Sequence, residues 1–418
     1  MMRTIFEKRS LRYVFTANVI SMLGSGMNSA AVAWYILQAT HSEMALGTLA
    51  VVMTIPAMLM LPFTGVIIDR EDRRRLVMML DAVRAIIILT VSILSFLAKV
   101  KVWQLYLMNT LVAAGFWMFW PTITALVQEL TPEGEFVHAN TFLLAGVQGG
   151  WLIAGSIVGF VYNHIGLGGV LLIDFSTYVV SFLCYFAVRK GRHVVPRPAE
   201  LRADIVAAET GLQRFWREMR EGIHFLRNHR TVILLGIGWA LFLAAMTTGI
   251  VVTPPLSDRI FHAGATGYGW LNAGWGVGAF VSALYAPWLI ARLGTRTAIA
   301  ISMALLALCM TGSPFAPVLA VAVLLYGCMG SARGISGVAM NTSIMEQVPP
   351  HFMGRVQNTF YFSGTFLQIV LALVVGAVAH RVRLTAGFAI IGLVYAAAFV
   401  SATWPVEAEA DSTVSAAE

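Results

Sequence analysis

The chain has 418 residues, 58% of them apolar and only 12% charged, with a mean hydropathy of +0.77. Soluble domains carry about 25% charged residues, so this chain cannot coat itself for water, and much of its surface faces lipid. The net charge of +7 does not point to nucleic acid, because the Lys and Arg residues fall between long apolar runs, where they act as topology signals.

A helix needs about 20 apolar residues to cross the hydrocarbon. Twelve runs meet that rule, near 13–37, 44–68, 77–98, 103–127, 137–162, 168–188, 231–253, 267–291, 297–315, 317–341, 356–380 and 384–404. Pro314 and Pro317 mark the turn within the 297–341 pair. Met1 to Ser10 is charged, but the run after it is too long for a cleavable signal peptide. With the N-terminus inside, the inner segments hold 21 of the 28 Lys and Arg residues. The outer loops hold five, Lys99, Lys101, Arg259, Arg381 and Arg383, while Arg84 and Arg333 fall within spans. This asymmetry places both termini in the cytoplasm.

The second span ends in the charged turn GVIIDREDRRR, Gly65 to Arg75. Gly65 lets neighbouring backbones approach, Asp69 can engage a helix N-terminus or an arginine, and Arg70, Arg73, Arg74 and Arg75 hold the loop at the inner surface. Asp81 and Arg84 follow in the third span, three residues apart on one face, placed to extend that network. The fifth span carries Gly146, Gly149, Gly150, Gly155 and Gly159, which permit close packing and bending. Asp174 sits toward the outer end of the sixth span, and its readings are a proton-coupling carboxylate or an interface residue or helix cap. Glu129 and Glu346 lie at inner ends, and no acid marks the first span. His41, His138, His164, His262 and His351 fall in or beside loops, which gives no support to a histidine relay.

The longest polar stretch, Arg189 to Arg230, divides six spans from six. Within it Leu212, Phe215, Trp216, Met219, Ile223 and Leu226 form an apolar stripe flanked by Arg214, Arg217, Arg220 and Arg227. That pattern suits a helix on an anionic leaflet or a linker helix covering the bundle from below. The halves look related. Thr131-Pro132 to Asn140-Thr141-Phe142 aligns with Pro349-Pro350 to Asn358-Thr359-Phe360 at a constant offset of 218. Such repeats place a binding site between the halves near the midplane. The expected domains are 1–188, a six-helix bundle; 189–230, a cytoplasmic linker; 231–404, a second bundle; and 405–418, a disordered tail. Cys184, Cys309 and Cys328 sit in apolar runs with neither CxxC spacing nor a histidine cluster, and read as small buried hydrophobes.

Polar and aromatic residues inside spans are the site candidates. They are Asn18, Trp34, Trp117, Trp120, Asn140, Gln148 and Trp151 in the first half, and Asn272, Arg333, Asn358, Tyr361 and Gln368 in the second. Helix bridging and packing are the competing roles for them. Arg333, among glycines in the tenth span, would contact an anionic or carbonyl-bearing substrate or pair with an acid, against snorkelling to the interface.

At this point the sequence resembles the major facilitator superfamily. The loop between that family's second and third helices carries Gly-x-x-x-Asp-Arg/Lys-x-Gly-Arg-Arg/Lys, matched here by Gly65, Asp69, Arg70, Arg73 and Arg74, with Asp72 in place of the second Gly. The resemblance covers nearly the whole chain. It is nearest to the macrolide, multidrug and siderophore exporters through Ala33-Trp34-Tyr35, Leu46-Gly47, Glu221-Gly222 with Phe225-Leu226, and Gly354-Arg355-Val356. Exporters often carry Gly-Pro in the fifth span, where this chain has Ser156.

The resemblance implies an all-α fold of twelve spans in two six-helix pseudo-repeats. It also implies alternating access, and a latch at the charged turn centred on Asp69. The expected activity is export of a small amphipathic organic molecule, such as a drug, macrolide or siderophore, by proton-coupled antiport across a bacterial inner membrane, without a cofactor or metal, by a monomer among membrane lipids. A lysophospholipid flippase of the same fold is the alternative. An integral-membrane enzyme lacks support, because no HExxH, GxSxG, Walker loop or paired-His motif is present. A channel fits the repeats less well than alternation does.

Overall fold

The computed structural model describes residues 9–131, 136–188, 211–227 and 229–404, which form helices and no strands. The first set begins with α1 (Arg9–Thr40), α2 (Glu43–Arg70), α3 (Arg73–Phe96) and α4 (Val102–Leu130). The stretch Phe136–Ala187 breaks at Gly166, whose φ of 63° is left-handed, giving α5 before the glycine and α6 after it. Helix α7 (Gly211–Arg227) follows. The second set is α8 (Arg230–Pro255), α9 (Gly264–Leu293), α10 (Thr295–Gly312), α11 (Leu319–Gln347), α12 (Pro350–Arg381) and α13 (Leu384–Thr403). The twelve long helices match the twelve runs read from hydropathy. The first six and last six form the two pseudo-repeats.

Ten stretches among the described residues are long and apolar enough to cross a membrane, and α1 is not one of them. Its sequence carries Asn18, Ser21 and Asn28, all buried. The physical reason is position: α1 is packed against α5 and α6, so its polar side chains meet protein rather than lipid. The opposite holds on the rim. Ile86, Phe96, Leu183, Leu284, Leu308 and Leu393 are large, apolar and exposed, as a lipid-facing surface requires.

All twelve helices run between two ends. One end holds the α1–α2 turn at His41, and the other holds the α2–α3 turn at Asp72. The two sets touch chiefly through α5 with α9 and through α2 with α12. Glycine makes both contacts possible. A Cβ on Gly159 would overlap the Ala265 carbonyl, and one on Gly47 would lie 2.7 Å from the Ala372 carbonyl. The glycines of the fifth span therefore divide by face. Gly146 and Gly150 meet Val19 and Met22 of α1, while Gly155 and Gly159 meet α9.

Helix α7 differs from the expected stripe. Met219, Phe225 and Leu226 are buried, whereas Trp216 and Ile223 are exposed. Phe225 stacks on Phe352 at 4.9 Å between centroids, and Glu221 pairs with Arg355 at 3.0 Å. The apolar surface is wide enough to serve more than one neighbour. It docks mainly on α12, with further contacts to α2 and α8, and Arg217, Arg220 and Arg227 are exposed beside them. Two motifs quoted separately from the sequence, Glu221-Gly222 and Gly354-Arg355, meet here. Of the cysteines, Cys309 is buried and Cys184 half-buried, but Cys328 is exposed, so the buried-hydrophobe reading does not hold for it.

Candidate functional site

At the charged turn, the side chains of Asp69 and Arg70, and Gly65, lie outside the described residues. Asp72 caps α3, accepting from the Arg74 and Arg75 amides at 3.0 and 3.2 Å. The carboxylate that replaces glycine in the family pattern thus satisfies the orphan donors of a helix start. Arg73 pairs with Glu129 at 2.8 Å and donates to the Ala125 carbonyl, tying α3 to α4. Arg74 donates to the Tyr185 and Phe186 carbonyls at the end of α6. Both arginines bind within their own set, at the places where helix-end carbonyls lack partners.

Asp81 and Arg84 pair deeper in α3, and both are fully buried. Their described partners are not the turn's arginines. Asp81 accepts from Ser181 of α6 at 2.6 Å. The Arg84 guanidinium lies 4.6 Å from the ring centroids of Phe119 and Tyr178, clamped between α4 and α6. One helical turn from Tyr178, Asp174 is 0% exposed and accepts from Asn28 of α1 at 2.8 Å. It is neither an interface residue nor a cap. The cluster therefore holds two carboxylates and one guanidinium, sealed among α1, α3, α4 and α6. Isolated charges are too costly to bury in hydrocarbon, and such groups persist only when paired.

A second cluster crosses between the sets. Glu43, the first residue of α2, is 0% exposed. It meets Arg259 Nη1 at 2.5 Å and His380 Nδ1 at 3.2 Å. Arg259 also donates to the His41 carbonyl at 2.6 Å. Sequence reading did not single out this site. Its members stand at helix ends more than 100 residues apart, where hydropathy sees only loop charges. Nearby, Trp34 stacks on Tyr268 at 6.0 Å, Asn163 donates to Thr266, and Gln368 donates to Thr54. These hydrogen bonds and ion pairs between the two sets lie in the half of the bundle nearest His41.

Toward the Asp72 end, a cavity of about 140 Å³ opens among α8, α11 and α12, lined by Trp239, Asn341, Ile344, Gln357, Phe360 and Tyr361. The residues expected to line one cavity are thus divided. Trp34, Asn272 and Gln368 sit on the seam between the sets, Asn272 against Gly155. Tyr361 lines the cavity, with Asn358 half-buried on the same helix. Arg333 donates to Met246 Sδ at 2.9 Å and lies 5.0 Å from the Trp275 ring. Asn18 is buried without a hydrogen-bond partner among the described residues. Trp117 is exposed and Trp120 half-buried. The side chains of Asn140, Gln148 and Trp151 lie outside the described residues. No group of three or more His, Cys, Asp and Glu residues that could hold a metal ion is found among the described residues.

Two six-helix repeats with glycine seams and membrane-buried ion pairs define a multi-pass membrane transporter. The chain belongs to the Major Facilitator Superfamily, whose family model matches residues 14–357 and 234–418. Macrolide efflux protein A of Streptococcus pyogenes is 19% identical over 364 residues, covering 86% of this chain and 85% of that protein. The multidrug efflux pump Tap of Mycolicibacterium fortuitum is 22% identical, covering 93% of each. The MFS-type transporter YkuC of Bacillus subtilis is 24% identical over 90% of this chain and 86% of that protein. The crystal structure of a point mutant of the nucleoside transporter NupG superposes with a TM-score of 0.76 at 13% identity, covering 95% of this chain and all of that one. That likeness speaks to the fold alone.

Proposed function

We propose that this protein exports small amphipathic organic molecules across a bacterial inner membrane by alternating access, driven by proton antiport. The two sets are the moving bodies, with domain limits at 1–188 and 231–404, residues 189–230 as a cytoplasmic linker and 405–418 as a cytoplasmic tail. Residues 189–210 and 405–418 are outside the described ones. The Asp72 end, rich in arginine, faces the cytoplasm, as does each terminus. The seam contacts near His41 then close the outer side, and the cavity at Trp239 and Tyr361 opens inward. Relatives named for macrolide and multidrug efflux support the substrate class.

The observation that carries proton coupling is the Asp174 cluster. Asp174 faces Asn28 of α1, and Asp81 and Arg84 of α3 lie beside it, with Tyr178 on its own helix. The cluster holds two carboxylates and one guanidinium, with Arg84 paired to Asp81, so one added proton neutralises the group. A change of one charge in a site excluded from water is large enough to bias a two-state rearrangement. The turn residues Asp69, Arg70, Arg73 and Arg74, with Gly65, act as the latch that holds the cytoplasmic side closed in the opposite state.

The test is transport by purified protein in proteoliposomes under an imposed pH gradient, with a drug panel and lysophospholipids. Drug uptake should follow the gradient, and Asp174→Asn should retain substrate exchange while losing gradient-driven accumulation. Drug movement that ignores the gradient would sink antiport. Movement of lysophospholipids alone would favour a lipid flippase.

A further inference from the structure

Arg333 stands at the centre of α11, fourteen residues from either end, in the middle of the membrane. Arg84, the other arginine within a span, is matched by a carboxylate. Arg333 is not: among the described residues no acid lies within ion-pair distance of it. Its described partners are the Met246 thioether and the Trp275 ring. A guanidinium carries five N–H donors, and a thioether is a weak acceptor. The side chain is half-buried, and its other N–H groups have no hydrogen-bond partner among the described residues.

Arg333 lies deeper along two of the helices that line the cavity. Met246 follows Trp239 by seven residues on α8, which is two turns along the same face, about 10 Å deeper. Arg333 precedes Asn341 by eight residues on α11, again about two turns deeper. The cavity is aromatic and amide-bearing, through Trp239, Tyr361 and Asn341, and the cation lies deeper on α11. A ligand that satisfies both needs an apolar aromatic body and a charged oxygen group. Planar guanidinium matches carboxylate and phosphate with paired hydrogen bonds.

We propose that Arg333, backed by Trp275 and Met246, is an oxyanion-binding subsite that selects amphipathic substrates bearing a carboxylate or phosphate. The proposal rests on the transport reading for its biological use, and on the geometry above for its chemistry. The shared chemistry has two sources, a free organic acid or a lysophospholipid headgroup. The experiment separates them.

Binding is measured first, by equilibrium dialysis on the full-length protein in detergent. The probes are an aromatic carboxylate dye, its methyl ester, and lysophosphatidate as competitor. The carboxylate should bind at least about tenfold tighter than the ester. Arg333→Gln should remove that preference while leaving ester binding in place, and Arg333→Lys should keep part of it. Displacement of the dye by lysophosphatidate at lower concentration than by free dye assigns the subsite to lipid, and the reverse assigns it to organic acids. Equal binding of carboxylate and ester, or a preference that survives Arg333→Gln, overturns the proposal. So does equal loss of both probes in Arg333→Gln with recovery of both in Arg333→Lys, which marks a structural cation. Vesicle transport of both probes follows. If binding shows the preference but neither probe moves, the subsite stands and the exporter reading fails. If both move without preference, the exporter reading stands and the subsite fails.

Discussion

Replacing Arg259 with Gln probes the seam that closes the His41 end. Glu43 is 0% exposed, while the Arg259 side chain is 39% exposed and that of His380 46%. Removing one partner of a buried pair costs about 3–5 kcal/mol, because the other charge stays buried. Exposed pairs contribute about 0–1 kcal/mol. This pair lies between those limits, and His380 still faces the carboxylate, so about 2 kcal/mol is a fair figure. Opening separates α2 from α12 and lets water reach Glu43, so the loss falls on the closed state alone. About 2 kcal/mol is roughly a 30-fold rise in the open-to-closed ratio.

The assay is labelling of Ala372→Cys by a membrane-impermeant maleimide in a background lacking Cys184, Cys309 and Cys328. Ala372 is 0% exposed, and its carbonyl faces Gly47 across the seam, so its labelling rate follows the open fraction even when that fraction is small. Arg259→Gln should raise the rate roughly 30-fold. Adding Glu43→Gln should recover part of the closed state, since the stranded charge is then gone. An unchanged rate in Arg259→Gln, or a further rise in the double variant, would refute the argument.

Three further outcomes follow from the same geometry. Arg84→Gln strands Asp81 with Ser181 as its described partner and should cost about 3–5 kcal/mol, read as a lower melting temperature in detergent. The Asp81→Asn/Arg84→Gln double variant should regain part of it. Gly159→Leu would force a side chain into the Ala265 carbonyl, so it should hold the His41 end open and abolish transport. Wild-type protein behaviour in both assays would count against a tight seam. Asp72→Ala removes the cap of α3 and should cost about 1 kcal/mol, a small drop in thermal stability with transport retained.

The spans were legible because each needs its own length of apolar sequence, a local property. Helix α1 shows the limit. Its Asn18, Ser21 and Asn28 lower its hydropathy, and only its enclosure by α5 and α6 explains why a membrane helix tolerates them. Asp81 and Arg84 were readable as a pair because they share a helix face. Their partners Ser181, Tyr178 and Phe119 were not, because they come from other helices. Asp174 illustrates the same gap: position along a span suggested an interface, and the packing of α1 on α6 places it inside. The Glu43, Arg259 and His380 cluster left no trace in the sequence, since charges at loop ends are ordinary until the fold brings them together. Asp72 is the converse case. It breaks the family pattern, and a purely local rule, the helix cap, accounts for it.

Export by proton antiport is the central claim, and proton flux driven by substrate tests it most directly. Purified protein is reconstituted in vesicles holding a pH-sensitive dye, with no pH gradient at the start, and a drug gradient is imposed. Protons should move opposite to the drug, and Asp174→Asn should abolish that flux while drug exchange continues. Drug movement with no accompanying change in internal pH would contradict it.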